Sequence, residues 1–148
     1  MLIIVKQMYK QNMNPILRNV LAVIVGILAG SSLNMAIIMV SSSIIPPPAG
    51  ADVTTMEGLT ASMHLFTPIN FLMPFLAHAL GTLLGAYLAA LIAVSHKMIF
   101  GLVVSTCFLV GGIMNVMMLP SPLWFSIVDI AGAYFPVGYL GAKLAIRK

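Results

Sequence analysis

Four long apolar stretches alternate with short polar breaks along the chain, and each stretch has the length of a membrane-crossing helix. A span needs roughly 20 predominantly apolar residues to cross about 30 Å of hydrocarbon. The pattern predicts spans over about Leu17–Val40, Ile69–Val94, Met98–Leu119 and Leu123–Ala142. The first opens after Asn14-Pro15, and proline is at home in the first turn of a helix. It closes before three serines and Pro46-Pro47-Pro48, a stiff exit from the membrane. Pro74 and Pro136 fall inside the second and fourth spans, where loss of an N–H predicts a kinked axis.

The breaks differ in length. Ser95-His96-Lys97 and Pro120-Ser121-Pro122 are tight, so the spans they join are antiparallel neighbours. Residues 41–68 form the long connection. Within it, Thr54 and Glu57 have the spacing of a capping box, and Met56, Leu59, Met63 and Phe66 follow at helical intervals. This predicts a short amphipathic helix lying on the membrane surface.

Composition supports the membrane reading: 61% of residues are hydrophobic, 7% are charged, and the mean hydropathy is +1.10. The chain of 148 residues is read as a single all-α membrane domain, a four-helix bundle. A basic start followed by an apolar run also describes a signal peptide, with Leu28-Ala-Gly-Ser31 as its cleavage region. The apolar run continues through Val40 and no cysteine completes a lipoprotein site, so the span is read as retained.

Charge changes the picture by giving orientation. Lys6, Lys10, Arg18, Lys97, Lys143, Arg147 and Lys148 all fall on one side of the four-span arrangement. Basic residues are retained in the cytoplasm during insertion, which predicts both termini inside. Asp52 and Glu57 lie in the long outer connection, and Trp124-Phe125 suits the outer interfacial aromatic belt. The net charge of +4 is thus topological, and nucleic acid is not an expected partner.

Polar residues inside the spans are the candidate chemistry. Counted from the basic side at about 1.5 Å per residue, Asn34, His78, Asn115 and Asp129 lie roughly 24, 26, 26 and 21 Å deep, one per span. A carboxylate facing lipid costs about 2.5–3.5 kcal/mol on insertion scales, so Asp129 is expected to face the bundle with His78 as its partner. Small residues mark the packed faces: Gly26 and Gly30 in span one, Gly81, Gly85 and Ala89 in span two, Gly132 in span four. Such spacing lets backbones approach closely, although GxxxG alone does not establish a dimer. Spans one and two faintly repeat in three and four, but their loops differ greatly in length.

Two readings of this layer stand side by side. In one, the four polar groups hydrogen-bond across helices and fix their register, and the protein is an accessory or structural subunit, as a homo-oligomer or within a larger membrane complex. In the other, an imidazole beside a carboxylate exchanges protons or binds cations, as in a small transporter, channel or proton-coupled carrier. His64 and His96 stand at no metal-ligand spacing and are read as solvated or interfacial. Cys107 is the single cysteine, so no disulfide or CxxC pair exists within the chain. The twelve methionines are read as flexible filling. No phosphate loop, nucleophile elbow, catalytic carboxylate pair or metal-spaced histidine cluster occurs, so neither an enzyme nor a cofactor is expected.

Four segments carry a resemblance: NPILRNVLAV from Asn14, PPPAGAD ending at Asp52, AHALGTLLG from Ala77 to Gly85, and LPSPLWF from Leu119 to Phe125. Together they resemble a family of small four-span bacterial inner-membrane proteins, over most of the chain from Met13 onward. The resemblance implies the bacterial cytoplasmic membrane and supplies no activity, so no functional residue is carried over. The basic tail before Met13 departs from it, and Met13 is an alternative start.

Overall fold

A computed structural model describes residues 14–147; the leading tail and alternative start lie outside the described residues. Helix is the only regular secondary structure among the described residues, with no strand. Helix α1 covers Pro15–Ile44, α2 Met56–Ser62, α3 Leu72–Ile92, α4 Lys97–Met118, α5 Leu123–Gly132 and α6 Phe135–Ile146. Short 3-10 turns at Met63–Leu65 and Pro68–Phe71 lead from α2 into α3. Four stretches have the length and apolarity to cross a membrane: Pro15–Ile44, Pro68–Ile92, Lys97–Met118 and Leu123–Ile146.

Local chemistry sets the ends. The Asn14 side chain accepts from the Ile16 N–H, satisfying one of the orphan donors at the start of α1. Helix α1 runs four residues past the expected Val40 and stops before Pro46, because a residue preceding proline is pushed to extended backbone, as Ile45 is. At the other end of the bundle, Arg18 Nε donates to the Ile92 carbonyl at 2.9 Å, placing a cation at the C-terminal end of α3. Asn19 accepts from the Val94 N–H and donates to Ser95. These bonds lock the start of α1 to the end of α3. The turn into α4 passes through His96, which adopts the left-handed conformation at φ 47°.

Helix α3 is the hub, packed against α1, α4 and α6. Small residues make this possible. A Cβ added at Gly26 would lie 2.6 Å from the Gly85 carbonyl oxygen, and one at Gly30 would lie 2.5 Å from that of Gly81. The reciprocal distances are both 2.8 Å, so the two GxxxG motifs pack against one another within one chain. Ala89, fully buried, continues the seam 3.1 Å from the Cβ position of Gly26. Gly101 approaches Ala142, and Gly141 approaches the Leu83 carbonyl, so α6 sits close against both α3 and α4. Gly132 does not belong to this set, because a Cβ there meets only the Phe75 ring at 3.4 Å, an ordinary contact. The outer faces of α1 and α4 remain apolar and exposed, including Leu28, Met39, Ile99 and Met117.

Two prolines behave differently from each other. Pro74 lies in the first turn of α3, where N–H groups have no intrahelical acceptor, and it produces no break there. Pro136 interrupts the fourth span: α5 ends at Gly132, two residues form a turn, and α6 restarts with Pro136 in its first turn. Proline has no N–H to offer the Gly132 carbonyl and its ring crowds that oxygen.

The long connection also departs from expectation. The cap of α2 is Thr55, whose hydroxyl accepts from the Gly58 N–H at 2.9 Å, so Thr54 and Glu57 do not form a capping box. Thr54 instead binds Asp52, donating from its backbone N–H and its hydroxyl. The apolar side of this segment turns toward protein: Leu59, Met63 and Phe66 pack with Phe71 and Phe125. Trp124 stands edge-on to Phe71 with centroids 5.6 Å apart. A reciprocal cap between Thr67 and Asn70 then starts the second span.

Candidate functional site

The break at Ala133-Tyr134 builds the site. In an unbroken helix, residues five apart point about 140° away from each other. Here the turn swings Tyr134 back so that its hydroxyl donates to Asp129 Oδ2 at 3.0 Å. Both residues are buried, Asp129 at 1% and Tyr134 at 2% exposure. Gly112 on α4 gives the phenol its room, since a Cβ at that position would collide with the Tyr134 hydroxyl.

His78 approaches the same carboxylate from α3. Its Nδ1 lies 2.9 Å from both Asp129 oxygens. An ionised carboxylate only accepts, so with Asp129 ionised Nδ1 carries the proton and donates. The imidazole and phenol rings are stacked, with centroids 5.9 Å apart and planes at 28°. Behind them, the buried Thr82 hydroxyl donates to the His78 carbonyl at 2.7 Å, a back-bond that slightly bends a helix. His78, Asp129 and Tyr134 thus form one hydrogen-bonded unit drawn from α3, α5 and the break after it.

A cavity of about 830 Å³ runs from this unit toward the 41–68 connection. One wall is α1, which presents Ser31, Asn34, Ile38 and Ser42 at helical spacing. The facing wall is α4, through Cys107, Phe108 and Asn115, and Val53 and Met56 stand at the loop end. His78 and Tyr134 lie at the floor. No buried side-chain nitrogen or oxygen among the described residues lacks a partner, and His78 Nε2 bonds to none of them. Nε2 is therefore accessible, consistent with the partial exposure of the His78 side chain, 13%, against 2% for Asp129.

The four polar residues read from the sequence separate into two roles. His78 and Asp129 meet directly. Asn34 and Asn115, both half-buried, line the cavity on opposite walls and make no side-chain hydrogen bond to any described residue. The four groups therefore do not form a mutually bonded layer: α1 and α4 touch at Gly30 and Phe108, and beyond that contact the cavity separates Asn34 from Asn115. Tyr134 is the member that hydropathy could not reveal, since an aromatic residue in a span is ordinary; Pro136 two residues later was the available signal. Among the described residues, His64 bonds the Ala61 carbonyl and no group of three or more metal-ligating side chains assembles.

The four apolar spans and the buried ionisable unit define a small multi-pass integral membrane protein. No family model matches this chain, and neither does any curated protein or solved structure.

Proposed function

We propose that this protein is a small carrier in which a solute entering the cavity exchanges with a proton held by the His78–Asp129 pair. The observation that carries the reading is the contact between an accessible imidazole nitrogen and a large cavity, with a buried carboxylate directly behind the ring. Pockets of roughly 300–1,000 Å³ with a few convergent polar groups are the usual dimensions of small-molecule sites. Intramembrane ionisable residues that face such a cavity belong to substrate or proton pathways by default. A purely register-fixing layer would bond its members to one another, whereas Asn34 and Asn115 keep their amides free toward the cavity. In this reading the protein sits in the bacterial cytoplasmic membrane with its termini inside and its cavity opening outward, as the one-sided distribution of Lys and Arg favours.

The test is reconstitution into vesicles containing a pH-sensitive dye. Amino acids, sugars, polyamines and carboxylates are added in turn to wild type, Asp129→Asn and protein-free vesicles. At least one class should move the internal pH with wild type alone. If none does, the carrier reading fails.

A further inference from the structure

Resting on the carrier reading, we infer that the cavity takes an organic cation, an amine with an apolar body, whose N–H group donates to His78 Nε2 in competition with the proton. Charge distribution is the first observation. Asp129 backs the floor behind the lining His78, while Asp52 and Glu57, the other acids of the sequence, lie in the loop and do not line the cavity. Among the described residues no Lys or Arg lines the cavity, and Arg18, Lys97, Lys143 and Arg147 belong to the opposite end of the bundle.

Geometry selects among cations. Both Asp129 oxygens are already engaged, by His78 and Tyr134, and the residue is buried, so a bare alkali ion cannot gather an oxygen cage around that carboxylate. The accessible atom is Nε2, an acceptor when Nδ1 carries the proton. It suits a donor, and a charged donor gains further from the carboxylate one ring away in a low-dielectric site. Asn34 and Asn115 supply free amide oxygens on the two walls, while Phe108 and Ile38 offer apolar surface for the body of the ligand.

Protonation explains the exchange. With His78 neutral the pair carries one negative charge; with His78 protonated it carries none, and Nε2 becomes a donor that repels an ammonium. The other titratable groups facing His78 are Asp129 and Tyr134, and Cys107 stands on the α4 wall; α1 contributes none. Amine occupancy and protonation at Nε2 are therefore mutually exclusive.

Radiolabelled phenethylamine binding to the full chain in nanodiscs, corrected for empty nanodiscs, tests this. Binding should be saturable, displaced by other primary amines, and indifferent to 3-phenylpropionate and phenethyl alcohol. It should weaken on acidification, because a protonated Nε2 can no longer accept from the amine. Asp129→Asn should abolish it; because that variant risks misfolding, Asn34→Ala combined with Asn115→Ala provides a second arm, weakening binding severalfold in a folded protein. Absence of saturable amine binding, equal binding of the alcohol or carboxylate, or binding that strengthens on acidification would overturn the cation assignment. The vesicle experiment judges the carrier reading separately: a response to sugars or carboxylates alone leaves a carrier and removes the cation.

Discussion

Tyr134 donates to Asp129 at 3.0 Å across a helix break, although the two residues are only five apart in sequence. A buried carboxylate is thereby held from both sides, by phenol and imidazole. Hydrogen bonds to charged groups contribute about 1.5–3 kcal/mol, and an orphaned buried acceptor forfeits its desolvation as well. Tyr134→Phe is therefore expected to lower unfolding stability by about 1–3 kcal/mol, measured in detergent by denaturant titration. Gly112→Ala, which drives a methyl group into the hydroxyl and the edge of the ring that bears it, should cost at least as much. Since both remove the same bond, the double variant should cost clearly less than the sum. Full additivity would show that Gly112 does not act through the phenol.

The facing glycines of α1 and α3 predict a position-specific response to alanine. Gly30→Ala and Gly85→Ala place Cβ atoms 2.5 Å and 2.8 Å from backbone carbonyl oxygens, contacts only helix displacement can relieve. Each should destabilise by about 1–3 kcal/mol, the usual range for overpacking. Gly111→Ala, with nothing within 4 Å of its Cβ position, should stabilise by up to about 1 kcal/mol through helix propensity. Equal effects at the three sites would show that the seam is not in contact.

His96 predicts a gain on substitution. A residue with a Cβ costs about 1–2 kcal/mol in the left-handed region. At φ 47° His96→Gly relieves this, against the larger chain entropy glycine surrenders on folding. A net gain of about 0.5–1 kcal/mol in the same denaturant titration is expected. A loss would mean that the imidazole makes a stabilising contact.

Asp52 predicts how the loop responds to acid. The Thr54 hydroxyl and then the Thr54 backbone N–H bond its carboxylate, and both hold its pKa below the ordinary aspartate value. A depressed carboxylate contributes its stabilisation fully above the unfolded pKa, about 3.9. The contribution fades as pH falls through the lower folded value. Amide exchange at Thr54, corrected for its intrinsic rate, should accelerate over that acid window in wild type. Asp52→Asn should show the faster rate at neutral pH and no acid step. An unchanged acid step in the variant would assign it to another group.

The spans were legible in the residues alone, because transfer of apolar side chains to lipid is a sum over residues and needs no knowledge of neighbours. The sequence also placed Asp129 inward with His78 as its partner, since a carboxylate in hydrocarbon must find a donor. Gly26, Gly30, Gly81 and Gly85 could be recognised as contact positions, but sequence did not say that they contact one another. That pairing, the turn of Leu59 and Met63 toward protein, and the separation of Asn34 from Asn115 emerge from how the helices pack. Each depends on where one helix stands relative to another, which local periodicity does not encode. The recruitment of Tyr134 is the sharpest case. Its position on Asp129 follows from a backbone break at Pro136, and the helical spacing by which faces are read from sequence holds only where the helix is continuous.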